Sequence, residues 1–152
     1  MTAPLTLGFS PCPNDTFMFY PLVHGLVDTG GISFTERLED VETLNRLAVK
    51  GVLDVSKVSY AALGHFREQY ALLRAGSALG RGCGPLLVVK EPLVVDDLVG
   101  KTIAIPGRYT TAHLLLRLFN PALVHFLEMP FHEIMDAVMT GRADAGVIIH
   151  ES

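Results

Sequence analysis

VETLNRLAVKGVLDVSKV (Val41–Val58) and FHEIMDAVMTGRADAGVII (Phe131–Ile149) read in the same order. In each, apolar residues recur at helical spacing: Val41, Leu44, Leu47 and Ala48 in the first, Phe131, Ile134, Met135 and Val138 in the second. In each, a glycine then ends the helix, Gly51 or Gly141, as a residue suited to the left-handed cap. Three residues later comes one aspartate, Asp54 or Asp144, and then a short apolar strand. Strands alternating with helices imply βαβ units and parallel sheets. The repetition predicts two similar α/β lobes with a cleft between them. We place the first at residues 1–93 and a partial second at 94–152, joined near Lys90–Leu98. A single doubly wound sheet is the alternative.

Working outward, Leu5–Phe9 alternates like a strand and breaks at Ser10-Pro11-Cys12-Pro13, because proline cannot donate to a ladder. Asn14, Asp15 and Thr16 are N-cap types and introduce a helix over Phe17–Leu22, with Pro21 compatible with its first turn or with a break just after it. Ile32–Thr35, Leu53–Val58, Ala71–Leu73, Pro85–Lys90, Lys101–Ile105 and Val124–Glu128 are further strand candidates. Ser59 is placed to cap a helix from Tyr60 to about Tyr70. The four glycines of Ala75–Gly84 mark a flexible loop. Lys101–Ile105 and Ala145–Ile149 are expected to be neighbours in one sheet. The chain stops at Ser152, three residues after an apolar strand, so the second lobe is expected to be incomplete and the chain a fragment.

Composition narrows the function classes. With 49% hydrophobic residues, the 152-residue chain can bury a core. A formal charge of −4 and the lack of a basic stripe argue against a nucleic-acid binder. No apolar run reaches the ~18 residues of a membrane span. Residues 1–4 lack the charged start of a signal peptide, so a cytoplasmic setting is expected. The two cysteines, Cys12 and Cys83, lie far apart and are expected as free thiols. Cys12 precedes a helix start, which favours thiolate, but its flanking prolines suit a packing role better.

In an open α/β sheet, ligands bind beyond the carboxyl ends of the strands. Pro106-Gly107-Arg108-Tyr109-Thr110-Thr111-Ala112 is the strongest anion-site candidate. Its glycine admits a close backbone approach, and the N–H groups of Thr111 and Ala112 open a helix. A threonine cap without a ligand is the plainer reading. Lys57-Val58-Ser59 makes a similar strand-end site, unless Lys57 is solvated and Ser59 merely caps. Asn45 falls mid-helix, where asparagine is a poor helix former, and is added as a binding candidate. His150 follows GVII at a strand's carboxyl end. A neutral imidazole is suited to taking a proton near neutral pH. His125 reads as a core residue, and no histidine pair has a metal-site spacing with carboxylate or cysteine support.

Several long segments carry a resemblance, in order along nearly the whole chain: GFSPCPNDTF (Gly8–Phe17), EDVETLN (Glu39–Asn45), SKVSYAAL (Ser56–Leu63), ALGRGCGPLLV (Ala78–Val88), PGRYTTAHLLL (Pro106–Leu116) and GVIIHES (Gly146–Ser152). They resemble the N-terminal part of 1,4-dihydroxy-6-naphthoate synthase, a lyase-type enzyme of the futalosine route to menaquinone. The resemblance implies a periplasmic-binding-protein-like fold of type II. It implies conversion of cyclic dehypoxanthine futalosine to 1,4-dihydroxy-6-naphthoate, with His150 as proton acceptor and Lys57–Ser59, Thr111 and Ala112 against an anionic, carboxylate-bearing substrate. Elimination driven by aromatisation needs no metal or redox cofactor. The sibling chorismate dehydratase is disfavoured by SPCPNDTF and the IIHE ending. A solute-binding protein or ligand sensor of the same fold is the non-enzymatic rival.

Overall fold

A computed structural model describes residues 3–149. The chain divides between Leu79 and Gly80 into two compact units, each with its own sheet. In the first unit, Leu5–Phe9 (β1) lies between Phe34–Leu38 (β2) and Val55–Ser56 (β3), all parallel. Pro13–Val23 (α1) and Val41–Val49 (α2) make the crossovers. In the second, the order is Pro85–Val89 (β4), Ala145–Ile149 (β7), Ile103–Ile105 (β5) and Phe126–Glu128 (β6). There β5 is parallel to both neighbours and β4 runs antiparallel to β7. Thr111–Phe119 (α3) and Ile134–Met139 (α4) complete the unit. The expected adjacency of Lys101–Ile105 and Ala145–Ile149 is therefore observed.

The domain boundary differs from the expected residue 93. The sequence reading expects Pro85–Val89 in the first lobe, but its ladder to β7 puts it in the second unit's sheet. Other elements are shorter than their sequence suggests. The Tyr60–Tyr70 helix is a 3-10 turn over Tyr60–His65. The helix ahead of β7 begins as a 3-10 turn at Phe131–Glu133 before α4. Ala71–Leu73 forms no strand, and Leu72 and Leu73 are exposed, so no neighbour supplies a ladder. The first helix starts earlier than expected: Pro13 occupies its first turn, Cys12 is the cap, and Pro21 lies inside it. No helix among the described residues is long and apolar enough to cross a membrane.

The second unit's mixed sheet is covered on both faces. Strand alternation sends Ile103 and Ile105 to one face with Leu98, Ala112, Leu116 and Val147. It sends Ala104 to the other with Met129, Ile134 and Ala137. In the first unit, Leu7 and Phe9 pack on Phe19 of α1. Two glycines set how closely helix and sheet approach. A Cβ on Gly8 would lie 2.5 Å from Leu53 Cδ1 and 2.8 Å from Leu44 Cδ2. A Cβ on Gly146 would lie 2.5 Å from Ile134 Cγ2. Gly146→Val should therefore destabilise the protein by about 1–3 kcal/mol through overpacking. Denaturant unfolding that left the midpoint unchanged would show that α4 can move away freely.

The repeated glycine–aspartate motif has one structural meaning in both units. Asp54 Oδ2 accepts from the Thr6 N–H at 2.8 Å and from Thr6 Oγ1 at 2.7 Å, fastening the start of β1. Asp144 Oδ2 accepts from the Thr102 N–H at 2.8 Å, fastening the chain just ahead of β5. These bonds, the backbone N–H first and the hydroxyl second, hold the Asp54 carboxyl below its usual pKa. A depressed acid stabilises the fold above its unfolded pKa of about 3.9, and that contribution disappears as pH falls through the folded value. The melting-temperature gap between wild type and Asp54→Asn should thus narrow as pH drops from 5 toward 3. A gap independent of pH would show that the charge of Asp54 is unimportant.

Candidate functional site

In the first unit, the candidate residues gather where β1 and β3 end. The Lys57 N–H donates to Gly8 O at 2.7 Å, which carries the chain of β3 past β1. The Lys57 ammonium is paired with Asp15, and both side chains are largely buried. Asp15 lies in the first turn of α1. Its other oxygen accepts from the Ser10 N–H at 3.1 Å and from Ser10 Oγ at 2.8 Å. Ser10 Oγ also lies 2.9 Å from Cys12 Sγ. One buried carboxylate thus ties the Ser10–Pro13 loop to the Lys57–Ser59 loop. Lys57 is neither solvated nor a free cation, because its charge is matched within the protein.

Asn45 is fully buried on α2. Its Oδ1 accepts from the Ser59 N–H at 2.9 Å, and its Nδ2 donates to Ser59 Oγ at 3.1 Å. That explains a poor helix former in mid-helix: its amide is engaged by the next loop. Sequence reasoning grouped Asn45 with the ligand-contacting residues, whereas its hydrogen bonds go to Ser59. Ser59 itself makes no side-chain cap bond to the 3-10 turn it precedes. Val58 is half-buried between these two anchored residues.

The second unit holds Thr111 and Ala112 at the start of α3. Beyond β5, Gly107 adopts a φ of 150°, a region favoured by glycine. Thr110, not Thr111, is the N-cap. Its buried Oγ1 donates to Gly107 O at 2.7 Å and accepts from the His113 N–H at 3.3 Å. Ala112 is buried and Thr111 half-buried in the first helical turn, where backbone N–H groups lack intrahelical carbonyls. His113 Nδ1 lies 2.9 Å from Arg108 O, which places the ring proton on Nδ1. Its ring meets the Phe126 ring edge-on at 4.7 Å. Arg108 Nε donates to Glu128 of β6 at 2.6 Å. The loop is thereby pinned at three points and its amides are fixed in place before any ligand arrives.

His150 lies outside the described residues; Ile149 ends the described part of β7. Sequence reasoning missed Asp15 as part of this constellation. Its place just ahead of the expected helix marked it only as a capping type. An open groove along α1 is lined by Pro13, Asn14, Phe17, Met18, Ala78 and Leu79, and includes none of the candidate residues.

The family model for menaquinone biosynthesis matches residues 5–152. The chain belongs to the menaquinone biosynthesis family. Two curated members of known name are similar to it. A 1,4-dihydroxy-6-naphtoate synthase of Thermus thermophilus is 51% identical over 148 residues, covering 97% of this chain and 53% of the relative. The synthase of the same name from Streptomyces coelicolor is 46% identical over 153 residues, with the same coverage. The chain spans about half the length of the curated relatives it matches. Among solved structures, protein AF1704 of Archaeoglobus fulgidus matches with a TM-score of 0.88 and 41% identity, over 97% of this chain and 54% of that one. A ligand-binding component of an ABC-type import system from Staphylococcus aureus matches with a TM-score of 0.65 at 15% identity, over 98% of this chain and 55% of that one. This menaquinone biosynthesis family member therefore has an α/β fold of the periplasmic-binding-protein-like type II class.

Proposed function

We propose that this chain is the N-terminal half of a 1,4-dihydroxy-6-naphthoate synthase acting in the cytoplasm. The observation that carries this reading is the 46–51% identity to synthases across 97% of the chain. The enzyme would take cyclic dehypoxanthine futalosine and release its ribose-derived part as the naphthoate ring becomes aromatic. Proton abstraction by His150 would start the elimination. A neutral imidazole has the right basicity near pH 7, and no redox change is needed. Thr111 and Ala112 would hold an anionic part of the substrate on first-turn N–H groups, with the helix dipole favouring negative charge. Lys57, Val58 and Ser59 would make the second set of contacts, with the loop fixed by Asp15 and Asn45.

The second reading is a protein of the same fold that binds a small anion without turnover. It is compatible with the fold, which the chain shares with an import-system component at 15% identity. One experiment separates the two. Cyclic dehypoxanthine futalosine is incubated with a polypeptide of the relatives' length that contains this chain, and naphthoate release is followed by absorbance. Turnover supports the synthase, and saturable binding without product supports the binder. Turnover of the chorismate dehydratase substrate instead would shift the assignment to that sibling activity.

A further inference from the structure

The two contacts between Asn45 and Ser59 leave only one pattern of donors and acceptors. A backbone N–H can only donate, so the oxygen of the Asn45 amide must face the Ser59 N–H, 2.9 Å away. The amide nitrogen must then face Ser59 Oγ, 3.1 Å away. An amide NH2 can only donate, so Ser59 Oγ accepts there. A serine hydroxyl has one proton, and that proton is left to point elsewhere. Among the described residues it meets no acceptor, and Ser59 is only half-buried. Meanwhile the Lys57 N–H is taken by Gly8 and the Lys57 ammonium by Asp15. The Ser59 hydroxyl thus joins the ammonium protons that Lys57 does not give to Asp15 as the polar side-chain donors of this loop.

We propose that Asn45 is a positioning residue that occupies one lone pair of the Ser59 hydroxyl and turns its proton outward, so that the Lys57–Ser59 loop favours a ligand oxygen that accepts, a carboxylate above all. This deepens the reading of the loop as a substrate-holding segment and rests on it. An ionised carboxylate has acceptor sites only, so it suits a fixed donor and is repelled by a fixed acceptor. The pair acts at no charge cost: Asn45 and Ser59 are neutral, and the neighbouring ammonium is already matched by Asp15.

The test has one arm that depends on turnover and one that does not. In a polypeptide of the relatives' length, Asn45→Asp presents two acceptor oxygens to Ser59 and turns its proton inward. The KM for cyclic dehypoxanthine futalosine should rise about fivefold, the equivalent of one net hydrogen bond of about 1 kcal/mol. Ser59→Ala should do the same, and the double variant should be no worse than Ser59→Ala alone, because both remove one donor. Additive losses, or an unchanged KM in Asn45→Asp, overturn the proposal. The other arm uses nuclear magnetic resonance on the 152-residue chain. The Asn45 side-chain NH2 should exchange slowly with solvent, and Ser59→Ala should speed one of its protons. If exchange is equally fast in both proteins, the clamp does not exist and the proposal falls. A polypeptide with a protected Asn45 amide but no turnover would refute the synthase assignment and leave the clamp standing.

Discussion

Replacing His150 by alanine or asparagine in the proposed synthase is expected to lower kcat by roughly 10²–10⁴-fold, the usual contribution of a positioned general base. Ligand affinity should change little, because the holding contacts are assigned to Thr111, Ala112 and the Lys57–Ser59 loop. The kcat/KM profile of the wild type should fall at acid pH with a midpoint near a histidine pKa of about 6.5, since an imidazolium cannot accept a proton. The sign is fixed by the role: a base must be unprotonated, so the rate is lost below the pKa and kept above it. The reading rests on the position of His150 after the apolar strand Ala145–Ile149 and on the family resemblance. A variant that lost stability while turning over normally per folded molecule would make His150 a structural residue. The base would then have to be sought elsewhere.

The second large effect is expected at Lys57. Its ammonium and the Asp15 carboxylate retain only 19% and 6% side-chain exposure. Removing one member of such a pair leaves the other charge with little solvent. Lys57→Met should therefore cost about 3 kcal/mol in unfolding free energy, the lower end of the range for a buried pair. Asp15 would keep only its bonds from Ser10. The combined variant, Lys57→Met with Asp15→Asn, should recover much of that loss, because no uncompensated charge remains. Arg37 and Glu39 provide the contrast: that pair is 45% and 32% exposed, and its loss should cost no more than about 1 kcal/mol. Equal effects for Lys57→Met and Arg37→Met in denaturant unfolding would show that burial of the Asp15 pair is not decisive.

The legible parts of this fold were those with local causes. Gly51 and Gly141 end helices because they reach positive φ, 65° and 76°, at low cost. Asp54 and Asp144 follow at the same spacing, and each fastens the start of a neighbouring strand. A repeated spacing could therefore be read without knowing the contacts. The start of α3 was legible for the same reason, with Thr110 as the threonine cap. What could not be read depended on partners distant in sequence. Asn45 and Ser59 are 14 residues apart, and Lys57 and Asp15 are 42 apart. Nothing local announces either pairing. The position of Pro85–Val89 is a similar case. As a short apolar run it fits either sheet, and only its ladder to β7 decides. Ala71–Leu73 failed differently: an apolar triplet looks like a strand until no neighbouring strand accepts it.

The two aspartate clasps also bear on the order in which the protein can take shape during synthesis. Thr6 and Asp54 are 48 residues apart, and Thr102 and Asp144 are 42 apart. Loop-closure entropy grows only with the logarithm of length, so the two closures cost nearly the same. They become available at very different times. The first clasp can close once the growing chain has emerged through Asp54, while the second must wait for Asp144. Domains generally fold as units from the N-terminus as they emerge. The first sheet can therefore be fastened on the ribosome while most of the second unit has yet to be translated.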